Sequence, residues 1–403
     1  MSTLLHIDSC LNTGSTGRIT EAIGSMALKC GWKCYIAHSS RYSNPPSCMS
    51  SFKMGTLFGE YLHYGESLFF DNHGLSSRTE TKCLINYIKS IKPDVIHLHC
   101  IHGYYLNYKI LFEYLNKTEI QIVWTFHDCW AFTGHCAYFD RIKCNKWKTG
   151  CCKCELIGDY PKALMDNSSR NYNIKKTLFS ENQNLHIVTV SKWLEGLSRE
   201  SFFKKKDIRT IYNGVDINIF KPTDSEYMRQ KLGIGNKKVL LAAATVWAER
   251  KGFNDYIELS KMLSDDMVII LLGLDKKKSV GLPSNIIGIE KTESIQDMAS
   301  FYSLADIVLN LSYEETFGLT TAEGMACGTP SIVYDATASP ELITPETGLI
   351  VEPGNVKGVF NAIQKMVKTP KVFFSKSCRA RAVCSFNKDK QFEEYIKLYE
   401  DII

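Results

Sequence analysis

Ser312-Tyr313-Glu314-Glu315-Thr316-Phe317-Gly318-Leu319-Thr320-Thr321-Ala322-Glu323-Gly324-Met325-Ala326-Cys327-Gly328-Thr329-Pro330 is the most informative segment of the chain. An apolar run, 307–311, precedes it and reads as a buried strand. A helix is expected from about Leu319 to Cys327, stopped by Gly328 and Pro330. A strand, a glycine-containing turn and a helix together present unbonded backbone N–H groups to an anion. Thr316 to Thr320 therefore read as a phosphate cradle at the positive end of the helix dipole. Glu323, one turn in, points toward hydroxyl groups beside that phosphate. Ligands of open parallel sheets bind beyond the carboxyl ends of the strands, where this turn falls.

The same alternation extends outward in both directions. Apolar runs at 4–7, 33–37, 95–98, 122–126 and 187–190 read as buried strands, as do 239–244, 267–272 and 331–334. Helical periods separate them, for example at 252–263 and 295–304. Such alternation predicts α/β architecture with parallel, doubly wound sheets. At 403 residues two domains are expected, 1–222 and 223–387, with a linker near Lys221-Pro222-Thr223-Asp224. A final segment, 388–403, places Phe392, Tyr395, Ile396 and Tyr399 on one helical face, which is expected to pack back on the first domain.

Composition narrows the class. With 44% apolar and 23% charged residues the chain is not disordered. No run approaches the roughly 18 to 20 apolar residues of a spanning helix. The N-terminus lacks a basic n-region, so it reads as a first strand, not a secretion signal. A cytoplasmic location is expected. The net charge of +5 is unevenly spread: residues 1–222 hold 27 Lys and Arg against 19 Asp and Glu, all ten histidines and twelve of the fifteen cysteines. A basic half suits an acidic membrane surface or a phosphorylated ligand, although a solvated surface has the same composition.

The spacing of Glu315 and Glu323, within Glu-Thr-Phe-Gly-Leu-Thr-Thr-Ala-Glu-Gly-Met-Ala-Cys-Gly-Thr-Pro, resembles the E-x7-E element of retaining glycosyltransferases of family 4. Ile211-Tyr212-Asn213-Gly214-Val215-Asp216, Val190-Ser191-Lys192-Trp193-Leu194 and Thr347-Gly348-Leu349-Ile350-Val351-Glu352-Pro353-Gly354 resemble that family in the same order. The resemblance implies the GT-B fold, two Rossmann-like domains facing a cleft. It implies an acceptor-binding first domain and a second domain that binds a nucleotide-diphosphate sugar, UDP- or GDP-linked. Glu323 would accept from ribose hydroxyls, and Glu315 would lie near the transferred sugar. Phe317, Gly318 and Leu319 would offer backbone contacts. Lys251, in Glu249-Arg250-Lys251-Gly252-Phe253, matches the family's phosphate lysine. The family's arginine about five residues earlier is missing, since Thr245 and Val246 stand there; Arg250 is the candidate substitute.

In the first domain, Gly14, Gly17 and Arg18 in Asn12-Thr13-Gly14-Ser15-Thr16-Gly17-Arg18 resemble the glycine loop bordering the donor. His127, in Trp124-Thr125-Phe126-His127-Asp128, resembles the family's active-site histidine; a buried structural histidine is the alternative. His97 and His99 alternate on one strand, but no carboxylate accompanies them to make a metal site. The resemblance also implies a lipid-linked saccharide acceptor, with Phe202-Phe203-Lys204-Lys205-Lys206 as one segment able to touch acidic lipid. No catalytic metal and no nucleic acid are expected.

Within the segment 129–160, Cys136, Cys144, Cys151 and Cys154 fall close together, and the last pair has C-x-x-C spacing. In a reducing compartment this closes a tetrahedral structural zinc site; disulfides, plain buried thiols or an iron–sulfur cluster are the alternatives. The segment resembles an insert in the bacterial capsule, O-antigen and exopolysaccharide branch of the family. Its Tyr138, Phe139, Arg141, Lys146, Trp147 and Lys148 are expected near the acceptor entrance. Two rival functions remain open: a GT-B epimerase or phosphorylase, and a non-enzymatic nucleic-acid-binding protein using the cysteine segment.

Overall fold

The computed structural model describes residues 1–41 and 45–403. The chain forms two units, Met1–Tyr212 with Phe392–Ile403, and Asn213–Gln391. Residues 213–222 go with the second because Val215 bridges Asn387 and Asp216 pairs with Lys388.

The first unit contains β1 (Thr3–Asp8), β2 (Lys33–Ser39), β3 (Ser50–Met54), β4 (Val95–Leu98), β5 (Gln121–Phe126), β6 (Leu185–Thr189) and β7 (Asp207–Thr210). They form one sheet in the order β3-β2-β1-β4-β5-β6-β7. Every pairing is parallel. The second unit contains β8 (Lys238–Ala243), β9 (Met267–Leu272), β10 (Ile286–Ile289), β11 (Ile307–Asn310), β12 (Ser331–Tyr334) and β13 (Gly348–Val351), again all parallel, in the order β10-β9-β8-β11-β12-β13. Both orders contain the Rossmann arrangement, in which the winding direction reverses beside the first strand. Those reversal points are β1/β4 and β8/β11.

Central strands are the ones that the sequence announces. β1, β4 and β9 are buried along their whole length and read as unbroken apolar or histidine-bearing runs. β3 and β7 carry no comparable run, β10 and β13 are four-residue apolar stretches containing a glycine, and all four are only partly buried and lie at sheet edges. An edge strand exposes one row of backbone groups, so short polar sequences such as Asp207-Ile208-Arg209-Thr210 serve there.

The last helix, Lys388–Ile402, buries Phe392, Tyr395, Ile396 and Tyr399. Its two tyrosines reach the first sheet: Tyr399 OH lies 2.6 Å from His97 Nδ1, and Tyr395 OH accepts from Thr125 Oγ1 at 3.2 Å. In the run 202–206 Phe202 is half-buried. Phe203 is fully buried among Trp124, Phe126 and Phe179, and the Lys206 amine donates to the Asn182 carbonyl.

Candidate functional site

In the second unit the reversal point joins two loops. The loop after β8 carries Arg250 and Lys251, and the loop after β11 carries Glu314 and Glu315. Gly252 makes their approach possible. It has φ +69°, and a Cβ there would collide with the carbonyl oxygen of Leu311. The Lys251 amine forms an ion pair with Glu315, both side chains less than a fifth exposed. Arg250 donates to the Glu314 carbonyl at 3.3 Å, while Tyr313 N–H donates to the Arg250 carbonyl at 2.8 Å.

Glu315 is also held through its backbone. Its N–H donates to Thr337 Oγ1 at 2.8 Å, and that hydroxyl donates to the Glu315 carbonyl at 2.7 Å. Thr337 has φ +50°, a strained value for a β-branched residue. Sequence reasoning did not select Thr337, since nothing in Asp335-Ala336-Thr337-Ala338 signals a clamp on a loop 22 residues away.

Gly318, at φ +101°, caps the helix Leu319–Ala326. Thr321 and Ala322 already donate to its carbonyl, so the amides at the helix mouth belong to Gly318, Leu319 and Thr320. Phe317 is buried and fixes the turn, and Thr316 stands half-exposed at its rim. Asn310 Nδ2 ties β11 to the helix through Thr321 Oγ1 at 3.1 Å. Glu323 lies within the helix, and its Oε2 accepts from Tyr302 OH at 2.9 Å. Lys251, Arg250, Glu315 and a helix N-terminus thus gather beyond the ends of β8 and β11, with Glu323 one turn into that helix.

The first unit holds a second set. β1 ends at Asp8, fully buried, which accepts from Thr20 Oγ1 at 2.8 Å. Burial pushes its carboxyl up to about 6. The helix Gly14–Lys29 begins at Gly14, φ +66°; a Cβ at Gly17 would lie only 3.0 Å from Cys10 Cβ, and Arg18 is exposed.

His127 follows β5 and ends a row of imidazoles. His6 Nδ1 lies 3.1 Å from His99 Nε2, and His99 Nδ1 lies 3.2 Å from His127 Nε2. Parallel register sets His6 opposite His97. Burial pushes His6 down to about 3, His127 down to about 4, and His99 well below its ordinary value, so all three are neutral at pH 7. A neutral imidazole has one donor and one acceptor, so the row runs one way or the other. If His127 donated to His99, and His99 to His6, the His6 proton would sit on Nε2, which is buried and has no partner. A buried orphan N–H is the rarer defect. The row therefore runs His6 to His99 to His127, and His127 carries its proton on Nδ1.

His102 and Asp128 flank His127, paired at 3.0 Å. Burial raises the Asp128 carboxyl, but the His102 charge and hydrogen bond outweigh that and hold it below the usual range. His99, His102, His127, Asp128 and Trp130 line a pocket of about 210 Å³.

Ring nitrogens of His6, His97 and His99 lie within 4.8 Å of one another, as metal ligands do. Hydrogen bonds already engage them, however: His97 with Tyr399 and Thr125, and His6 with His99. The four cysteines differ. All line one cavity of about 360 Å³ with Phe139 and Trp147. Cys136 and Cys154 share a thiol hydrogen bond, Cys151 Sγ accepts from Gly134 N–H at 3.2 Å, and Cys154 Sγ accepts from the Leu156 amide. Among the described residues the thiols do not close into a compact triad as the ring nitrogens do. Phe139 and Trp147 are buried beside Phe132, so they form the core of this segment and line no entrance.

Two family models match the chain: Glycosyltransferase Family 4 over residues 54–219, and Glycosyl transferases group 1 over residues 237–369. A protein named as a colanic acid biosynthesis glycosyl transferase, WcaC, from Escherichia coli (strain K12), is 24% identical over 330 residues, 77% of each chain. Among solved structures, sucrose-phosphate synthase from Thermosynechococcus elongatus superposes with a TM-score of 0.76 at 18% identity, covering 100% of this chain and 99% of that one. Anabaena Alr3699/HepE in complex with UDP gives 0.70 at 15% identity over 100% of both chains, and that protein is also solved with UDP-glucose. With two Rossmann-ordered sheets and a family model on each unit, the chain belongs to the glycosyltransferases of GT-B fold.

Proposed function

We propose that the protein transfers a sugar, with retention of configuration, from a UDP- or GDP-sugar to a lipid-linked saccharide at the inner face of the plasma membrane, in surface polysaccharide biosynthesis. The observation that carries this reading is the convergence of Lys251, Arg250, Glu315 and the Gly318 helix start at the β8/β11 reversal point. HepE, solved with UDP and UDP-glucose, supports the donor class, and the WcaC name supports the pathway class.

In this reading Glu323, anchored by Tyr302, accepts from the ribose hydroxyls. The amides of Gly318, Leu319 and Thr320 donate to the diphosphate. Lys251 and Arg250 neutralise the charge that grows there as the anomeric C–O bond breaks. The acceptor oxygen bonds on the same face, and its proton passes to the departing diphosphate. His127, with Nδ1–H as donor, serves a sugar hydroxyl near the reacting carbon; Gly14, Gly17 and Arg18 border the donor. No metal takes part in this scheme. Calorimetry with UDP, GDP and their glucose and mannose conjugates tests it. Wild type should bind one pair at micromolar Kd. Glu323→Ala should weaken that binding by about tenfold or more, the cost of losing a charged hydrogen-bond acceptor. Equal, negligible binding by both proteins would overturn it.

We propose that Cys136, Cys144, Cys151 and Cys154 hold a structural zinc ion. Besides the spacing, the two N–H···S bonds support this, since they leave sulfur charge partly compensated. So does the long segment itself, whose regular structure is three short turns, Trp130–Phe132, Asp140–Ile142 and Lys146–Lys148. A loop of that length needs a tie that metal binding supplies. Purified protein should carry stoichiometric zinc by elemental analysis, lost in Cys151→Ser/Cys154→Ser together with a drop in melting temperature. Metal-free wild type that melts normally excludes the site.

A further inference from the structure

The helix Leu57–Phe70 is turned inside out. A surface helix normally buries its apolar stripe and offers polar groups to water. Here the buried positions are Glu60, His63 and Ser67. The apolar positions Phe58, Tyr61, Leu62 and Phe69 recur at helical spacing on the opposite side. They are 73%, 67%, 56% and 54% exposed, and Phe70 follows at 51%. The stripe continues onto a second segment. Leu164 N–H donates to the Leu68 carbonyl at 2.7 Å, and the adjoining side chains Leu164 and Met165 are more than half exposed.

Polarity is arranged to match. Both acids of the helix are tied by hydrogen bonds, Glu60 buried and Glu66 exposed. Glu60 Oε1 accepts from Ser39 Oγ, Ser40 N–H and Ser40 Oγ at 2.7–2.8 Å, and Glu66 accepts from Ser76 Oγ. His63 is bonded inward to Ser77 and to the Gly74 amide. Exposed bases stand at the borders. Arg41 shares a pocket of about 350 Å³ with Leu57, Glu60, Tyr61 and Tyr64. Lys162 precedes Leu164, and Arg170 donates to Asn72 Oδ1 at 2.7 Å, just past the helix end.

We propose that this face docks on the surface of an anionic lipid bilayer, with the rings in the headgroup–acyl boundary and Arg41, Lys162 and Arg170 among the headgroups. Aromatic rings with three bases at the rim fit that interface; the two exposed acids there are already engaged, Glu66 by Ser76 Oγ and Asp166 by the Cys154 and Ser168 amides. A protein partner of the same apolar character would leave the rim without an opposing charge. The helix is 14 residues long and no described helix is long and apolar enough to cross a membrane, so the contact is parallel to the surface. Its biological sense rests on the lipid-linked acceptor proposed above, whereas the surface itself does not.

Flotation of the full chain with vesicles of phosphatidylcholine and phosphatidylglycerol tests the proposal. Wild type should float, weakly with phosphatidylcholine alone and less at high salt. Phe58→Ser/Tyr61→Ser/Phe69→Ser should lose binding by about tenfold or more, and Arg41→Glu/Lys162→Glu should lose mainly the anionic component. Unchanged melting temperature and nucleotide affinity certify the fold of each; the single variant Phe58→Ser, with a smaller loss, replaces any that melts early. Failure of wild type to float, or equal flotation of the triple variant, overturns the proposal. So does a wild-type dimer in sedimentation velocity that the triple variant dissociates without any flotation. Flotation without nucleotide-sugar binding would keep the surface and remove the transferase reading; the reverse result would do the opposite.

Discussion

Replacing Lys251 with alanine is expected to slow sugar transfer by about 100- to 1000-fold, the usual effect of deleting one preorganised group at a developing anion. The amine is held by Glu315 with little exposure to solvent, so it meets the diphosphate already oriented. Lys251→Arg should recover part of the rate, because arginine keeps the charge and suits phosphate but not the same point geometry. Glu315→Gln should also slow the reaction, and the double variant Lys251→Ala/Glu315→Gln should be less impaired than the product of the two single effects, since the pair is in contact. The measurement is steady-state kcat and KM with the nucleotide sugar identified by calorimetry. Full activity of Lys251→Ala would falsify the assignment.

Acid is expected to unfold the first unit steeply. Burial holds His6 down to about 3, His63 and His127 down to about 4, and His73, His97 and His99 well below their ordinary value. The unfolded chain takes up protons at about pH 6.5 that these native rings refuse, so stability is fully present above that pH and falls as pH drops toward 4. At pH 5 His6, His63 and His127 should each cost about 2 kcal/mol, and His73, His97 and His99 act in the same direction. Against a domain stability of about 5–15 kcal/mol, the first three alone are a large share. Asp8 works in the opposite sense, because a carboxyl raised to about 6 favours the folded state as pH falls from 6 to 3.8, but it is one group against six. Thermal melts between pH 7.5 and 4.5 should show the loss below 6.5. Histidine ¹⁵N spectra in the same range should keep His127 in the Nδ1–H form until the unit unfolds. A flat melting profile, or an Nε2–H signal for His127, counts against the buried row.

The buried row also shows how far residue order reaches. His97, in β4, and His99, just past its end, are two apart and visibly share a face. Their link to His6, some ninety residues earlier, exists only because β1 and β4 pair in parallel at the reversal point. The link to Tyr399, 302 residues later than His97, exists only because the last helix buries its tyrosines in the first unit. Thr337 is a similar case, and its hold on Glu315 depends on the spacing of β11 and β12 rather than on any local motif.

The α/β alternation, the central strands, the turn 312–330 and the spacing of Glu315 and Glu323 are local properties, legible because burial on both faces demands continuous apolar runs and a helix start demands particular turn residues. So is the GT-B resemblance that those residues carry. The edge strands β3 and β7 were not legible, because half their backbone is unpaired and their side chains need not be apolar; β10 and β13 are apolar but only four residues long, each with a glycine. The aromatic residues of 57–70 and of 202–203 look alike in sequence. Tertiary packing alone separates them, turning Phe203 into a ring cluster and Phe58 out to the surface. A hydrophobic side chain records that it avoids water somewhere, and only the folded chain decides whether it does so inside the protein.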